Sequence, residues 1–277
     1  MRLLRILTRC ANLRHWKLEL SSQAPLKRFY KNVWVAKGVC TVDSTTETGF
    51  EVFLDKSRLR TPGGNVFSVP HEGLALAVAN EWESQKEHIE RFTLPLTIIC
   101  SHVIDNPTER SKEVIVNSIM EYADTDTICY RVETPEELLA EQESQWGTVL
   151  GFVESRYHFR PPVTTGFSST CISKESRDFI SRYLLSFNRW GLVGFQTCVE
   201  NLKSLWLTLA MVDGFLTSQR AVELSRLEQK RWGSVEWFHE VDEVEVNTRV
   251  AAGLLVVLTS HARRSVKQKS AKGVAVK

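Results

Sequence analysis

No C-x-x-C pair, no membrane-length apolar run, no phosphate-binding glycine loop and no nucleophile elbow occur in this chain. Each absence removes a class of function. Without an uninterrupted apolar stretch of about 18 residues, no helical membrane span is expected. Without G-x-x-x-x-G-K-[ST], and with Gly63-Gly64 placed in a turn between strands, nothing cradles a nucleotide phosphate, which argues against ATP hydrolysis. No G-x-S-x-G motif anchors a serine triad. His239-Glu240-Val241-Asp242-Glu243 begins like a zinc-protease motif, but Glu243 stands where the second histidine ligand would be. A di-iron bundle needs two E-x-x-H helices, and Glu236/His239 is the single such pair. Six cysteines (Cys10, Cys40, Cys100, Cys129, Cys171, Cys198) lie roughly 30 to 60 residues apart. That spacing predicts buried thiols in a reducing compartment and neither zinc nor disulfides.

Charge is distributed unevenly. Arg2, Arg5, Arg9, Arg14 and Lys17 precede the first acid, Glu19, and six further basic residues from Arg263 to Lys277 follow the last acid, Glu245. Setting those eleven aside leaves 24 basic residues against 33 acids, so the body carries an excess of about nine negative charges. Leu3, Leu4, Ile6, Leu7 and Leu13 among the arginines form an apolar face beside a basic one, the composition of a mitochondrial transit peptide. A disordered basic tail is the alternative. Residues 1–27 are therefore expected to be a leader to the matrix, and 263–277 a basic disordered tail. About 235 residues remain, enough for one large or two modest domains. The acidic body, whose basic groups do not cluster with aromatics, disfavours nucleic acid as a partner.

The periodicity predicts an α+β chain: a small N-terminal antiparallel β domain with a closing helix (28–90), then an all-helical C-terminal domain (91–262). Strands are expected around Val33–Val35, Phe50–Leu54 and Val66–Val69, with the threonine-rich tract Val39–Thr48 a mobile loop between them. Leu74, Val78 and Trp82 mark the first helix. Asn106-Pro107-Thr108-Glu109 and Thr134-Pro135-Glu136-Glu137 each read as a helix start. The second opens a stripe of Leu139, Gln142, Trp146, Val149, Leu150, Val153 and Tyr157. Ser173 opens a helix with Phe179, Ile180 and Leu184, Asn188–Met211 reads as one central helix, and Thr217 caps a shorter one. A last helix, from about Ser234 to His261, uses Val241, Val244, Val250, Leu254 and Leu258.

The densest candidate site is Trp232-Gly233-Ser234-Val235-Glu236-Trp237-Phe238-His239-Glu240, three large aromatics interleaved with acids. Its tryptophans serve either as core or as a recognition surface, since Trp is enriched among residues that dominate binding energy. The acids would select a basic or amide-rich partner. Glu81-Trp82 repeats the pairing on the first helix, with the same two readings. A helical matrix metalloenzyme built on Glu236, His239 and Glu240, and a structural scaffold of a respiratory complex, are the rival functions.

Seven blocks occur in order along the chain: Arg28-Phe29-Tyr30-Lys31, Leu54-Asp55-Lys56-Ser57-Arg58-Leu59-Arg60-Thr61-Pro62, Ala79-Asn80-Glu81-Trp82-Glu83-Ser84-Gln85, Pro95-Leu96-Thr97, Asp105-Asn106-Pro107, Asp124–Arg131 and Trp232–Trp237. Together they resemble the mitochondrial ATP synthase assembly factor 2 family, chaperones of the alpha subunit of the catalytic head. The resemblance implies an ATP-independent monomeric matrix chaperone, not an enzyme and without a cofactor. Such a chaperone holds free alpha subunit until the beta subunit displaces it. It also implies that Trp232, Gly233, Val235, Glu236 and Trp237 belong to the working surface. His239, Glu240, Glu81 and Trp82 join them as candidate partner-binding residues. Two departures stand out. Leu94 replaces a usual methionine, a volume-conserving change. Only Gln229, Lys230 and Arg231 separate Leu227-Glu228 from Trp232, where the family usually has several more residues. Losing about five helical residues, at about 100° each, would re-aim the tryptophan-rich segment by more than a third of a turn.

Overall fold

Two ten-residue strands, β1 (Val33–Val42) and β2 (Thr45–Leu54), form an antiparallel hairpin whose register runs unbroken from Val33 opposite Leu54 to Val42 opposite Thr45. The expected loop Val39–Thr48 is thus the paired tip of the hairpin. Its threonines are β-branched and suit a pleated surface as well as they suit solvent, and Thr41 faces Thr46 across the ladder. Gly38 sits opposite Gly49 inside the strands. A Cβ on Gly38 would lie 2.4 Å from the Glu51 carboxylate, which occupies that space and pairs with Arg58 at 3.1 Å. Short strands β3 (Ser57–Arg58) and β4 (Ser68–Val69) both pair with β2. The computed structural model describes residues 26–42, 44–165, 171–232 and 243–260. The expected tail 263–277, and all but the last two residues of the expected leader 1–27, lie outside the described residues.

Helix α1 (Glu72–Glu83) closes the sheet, with His71 accepting the Gly73 N–H at its start and Leu74, Ala75, Val78 and Ala79 buried. Next comes α2 (Pro95–Asp105). Here the expected helix start fails: Asn106 does not open a helix but ends one, in the left-handed conformation at φ 37°. Asparagine tolerates that conformation better than most side chains, so it serves either helix end. The following helix, α3 (Lys112–Met120), is capped instead by Ser111.

The remainder is helical apart from one parallel pair, β5 (Tyr130–Arg131) with β6 (Thr164–Thr165). Helix α4 (Glu136–Tyr157) starts where expected, with Pro135 in the capping position, and it buries Leu138 where Leu139 was expected. Helix α5 (Lys174–Leu185) is capped by Ser173, and Phe179 lies on its exposed side. The single helix expected over Asn188–Met211 is two, α6 (Arg189–Leu202) and α7 (Leu205–Val212). Helices α8 (Ser218–Ser225, capped by Thr217) and α9 (Leu227–Trp232) follow, separated by a break at Arg226, and residues 243–260 form a last helix, α10. Expected contacts Val244 and Leu258 are exposed there, while Val246, Val250, Val256 and Val257 are buried. The inward face of α10 is set by Gly253, whose backbone approaches Gly194 of α6 so closely that a Cβ on Gly194 would lie 2.7 Å from the Gly253 carbonyl. Val241 lies outside the described residues. Four described cysteines are buried as expected, but Cys171 is exposed. Among the described residues no helix is long and apolar enough to cross a membrane.

What breaks α6 from α7 is Asp126, a fully buried carboxylate 79 residues away in sequence. One oxygen accepts the Leu205 N–H at 2.7 Å and the Trp206 N–H at 3.1 Å, and the other accepts the Ile128 N–H at 3.1 Å. Thr127 donates both its N–H and its hydroxyl to the Lys203 carbonyl, at 3.2 and 3.0 Å. Lys203 turns left-handed at φ 56°, and Ser204 caps α7 by accepting the Leu207 N–H. One continuous apolar core, with Trp146, Trp190 and Trp206 at its helical end, extends to Val52 and Val69 of the sheet.

Burial pushes the Asp126 carboxyl up from its ordinary 3.8 to about 7, against the pull of its hydrogen bonds. A raised acid keeps its proton in the fold after the unfolded chain has lost it. Its contribution to stability is therefore full below about pH 4 and declines as pH rises through about 7, by at most about 1.4 kcal/mol per pH unit. Denaturant unfolding of the wild type and of Asp126→Asn at pH 5 and pH 8 should show the wild type's advantage shrinking as pH rises. An advantage that is constant, or that grows with pH, contradicts this assignment.

Candidate partner-binding surface

Glu81 and Trp82 lie at the seam between α1 and α2. The Glu81 carboxylate accepts the Leu96 N–H at 2.7 Å, the Thr97 N–H at 2.9 Å and the Thr97 hydroxyl at 2.8 Å, so it caps the next helix from outside. Desolvation raises its pKa, and those donors pull it back. The Trp82 indole donates to the Thr97 hydroxyl at 3.1 Å, while its carbonyl accepts the Tyr30 hydroxyl at 2.7 Å. The two residues that looked like a small recognition pair thus make their described polar contacts inside the fold.

The same holds for residues of other blocks. Asp55 accepts the backbone N–H groups of Lys31 and Asn32. Asp105, at the far end of α2, accepts the Thr61 hydroxyl at 2.5 Å, the Gly63 N–H at 2.8 Å and the Asn65 amide at 2.9 Å. Partial burial raises the Asp105 pKa, but these bonds outweigh it and hold the group below its ordinary value. Helix α2 is consequently held at both ends by carboxylates that tie it to the sheet domain.

Of the tryptophan-rich segment, Trp232 is the last residue of α9, and Gly233, Val235, Glu236, Trp237, His239 and Glu240 lie outside the described residues. Both flanks of the segment are described. On the leading side, the Gln142 amide of α4 donates to Glu228 of α9 at 2.6 Å and accepts the Val132 N–H at 3.0 Å. The Trp146 indole donates to the Leu224 carbonyl at 2.9 Å, and the Arg131 guanidinium lies 5.1 Å from the Trp146 ring centre. Burial lowers the Arg131 pKa. On the trailing side, α10 packs on α6, where the Cys198 thiol donates to the Val250 carbonyl at 3.5 Å. The helix before the segment, α9, is thus bonded to α4, and the helix after it, α10, is bonded to α6. The helix is interrupted at Arg226, and the Gln142–Glu228 bond ties α9 to α4. Gln142 inside an otherwise apolar stripe was the signal for that anchor: a buried amide must find partners.

Sequence reading missed a second aromatic cluster. Asp213, just past α7, accepts the Tyr157 hydroxyl at 3.0 Å, the Tyr183 hydroxyl at 3.3 Å and Arg156 at 2.9 Å. Phe152 stacks on Phe215 with ring centres 4.4 Å apart, and Phe179 and Phe215 are exposed. Burial raises both phenols, Tyr183 to about 12. It also raises the thiols of Cys100, Cys129 and Cys198. These groups stay protonated near neutral pH and are poor nucleophiles or bases there.

Glu81→Ala leaves the Leu96 and Thr97 N–H groups unsatisfied at a largely buried helix start, which should cost about 1–3 kcal/mol of unfolding free energy in urea titrations. A change within experimental error would show that solvent replaces the carboxylate without loss.

A family profile described as ATP12 chaperone protein matches residues 27–154. The chain is similar to the protein named atp12, mitochondrial, of Schizosaccharomyces pombe, with 28% identity over 249 residues, covering 84% of this chain and 83% of the relative. The fold is similar to the crystal structure of Atp12 from Paracoccus denitrificans (TM-score 0.71, 25% identity, 84% of this chain and 98% of that one). It is also similar to the Atu1473 protein of Agrobacterium tumefaciens (TM-score 0.73, 26% identity, 84% and 85%). The chain is thus similar to the ATP12 chaperone family, by profile over residues 27–154 and by sequence and fold over most of its length.

Proposed function

We propose that the chain is an ATP-independent assembly chaperone of the mitochondrial matrix. It holds the unassembled alpha subunit of the ATP synthase catalytic head, keeps it from aggregating and releases it to the beta subunit. Residues 1–27 act as the import leader in this reading, and the body works as a monomer. The observation that carries it is the similarity to mitochondrial atp12 over most of both chains. The acidic body and the lack of a phosphate loop are consistent with a binder that uses no nucleotide.

The working surface in this reading is the segment Trp232, Gly233, Val235, Glu236, Trp237, His239 and Glu240, held between α9 and α10. Its aromatic groups supply binding energy, and Glu236 accepts hydrogen bonds from backbone N–H groups of an unpaired subunit edge. Glu81 and Trp82 contribute by fixing α1 against α2, which steadies the platform. A holdase must bind an assembly interface and still lose it to the true partner, so its affinity belongs near the micromolar scale, about −8 kcal/mol.

Protein lacking residues 1–27 should suppress light scattering by isolated alpha subunit at a near-equal molar ratio without ATP. Glu236→Lys should keep the thermal transition yet bind alpha subunit more weakly by over 1 kcal/mol, about the threshold of a hot-spot loss. Scattering that is unchanged, or that falls only with ATP, contradicts the function. A lowered transition with unchanged binding makes Glu236 structural.

A further inference from the structure

Strand β1 pairs with β2 on one side and stands at the end of its sheet. The phase of the ladder is fixed by two bonds: the Asp55 N–H donates to the Asn32 carbonyl at 2.8 Å, and the Leu59 N–H donates to the Val52 carbonyl at 2.8 Å on the far side of β2. Trp34, Ala36, Gly38 and Cys40 therefore bond inward to β2, while Val33, Val35, Lys37, Val39 and Thr41 turn their N–H and C=O groups outward. Among the described residues no backbone group bonds to that outer row. The Cys40 thiol lies 3.7 Å from the Thr41 carbonyl on the same row.

Natural edges are blunted by proline, bulges or repeated charge. This one runs for ten residues without a proline or a bulge, and Lys37 is its single charge. Along its distal half it opens onto a groove of about 420 Å³ between the hairpin tip and helices α2 and α6, lined by Val39, Thr41, Ser68, Val103, Ile104 and Trp190 among others. Ser68, 94% buried, is among the lining residues, and its hydroxyl has no hydrogen-bond partner among the described residues. Arg189 is the charged residue of the lining.

We propose that β1 and this groove receive an extended segment of the unassembled client as an added strand. The outer row of β1 supplies main-chain hydrogen bonds, and alternate apolar side chains of the segment enter the groove. Strand addition suits a holdase because affinity comes from backbone groups that any unpaired strand carries, with side chains adding selectivity. This inference rests on the chaperone reading above, but it places part of the client well away in sequence from the Trp232 segment.

The test uses the full chain and isolated alpha subunit. Hydrogen exchange of the chain with and without alpha subunit should show the amides of Val35, Lys37, Val39 and Thr41 slowed about tenfold or more in the complex. Lys37→Pro removes an outward N–H, a position where an edge strand tolerates proline, and should weaken binding about tenfold with the thermal transition retained. Binding with these amides unchanged overturns strand addition and leaves the chaperone reading standing. No binding by the wild-type chain overturns both. Should Lys37→Pro fail to fold, the exchange result on the unaltered chain decides.

Discussion

Buried carboxylates that cap helices from elsewhere in the chain are the interaction on which this structure depends. A helix start exposes N–H groups that need acceptors and a positive dipole end that favours an anion, yet a carboxylate taken out of water is costly unless several donors meet it. Asp126 and Glu81 satisfy both conditions at once, at α7 and α2. Each converts a local feature, the beginning of a helix, into a long-range link. Asp105 closes the circuit by returning α2 to the turn at Thr61–Asn65. Sheet and bundle consequently share one core.

That construction suits a protein that must show sticky surface without coming apart. A holdase loses its purpose if apolar groups offered to a client are withdrawn into its own core, or if presenting them melts the frame. Here Trp146, Trp190 and Trp206 are fully buried, Trp82 is half-buried and hydrogen-bonded, and Trp34, though exposed, is stacked on Phe53 with its indole donating to the Asp55 carbonyl. In the proposed reading, client contact falls to the Trp232 segment and to backbone groups along the β1 edge.

Much of the fold is legible in the sequence, and the part that is not has one physical origin. Helix starts with a local cap, such as Ser173 and Thr217, were legible because the cap sits beside the helix it serves. The division of Asn188–Met211 into α6 and α7 was not, because neither glycine nor proline marks it, and Ser204, its local cap, shares the new start with Asp126 from 79 residues away. Glu81 beside Trp82 suggested a surface for the same reason: its donors, Leu96 and Thr97, belong to another element. The threonine-rich hairpin tip reads equally as loop or strand until its partner is known. In the region of the candidate site, Gln142 was visible in the stripe of α4, but its link to Glu228 was not. The family resemblance was legible because its blocks are these joints: Tyr30 with Trp82, Asp55 with Lys31, Thr61 with Asp105, Glu81 with Thr97.

The central claim is transient custody of an orphan subunit. A pulse of labelled alpha subunit imported into mitochondria, followed by immunocapture of this chain over time, tests it most directly. The account predicts early co-isolation of labelled alpha subunit that decays as the label appears with beta subunit in assembled enzyme. Label that never associates with the chain, or that stays with it in the finished enzyme, would contradict it.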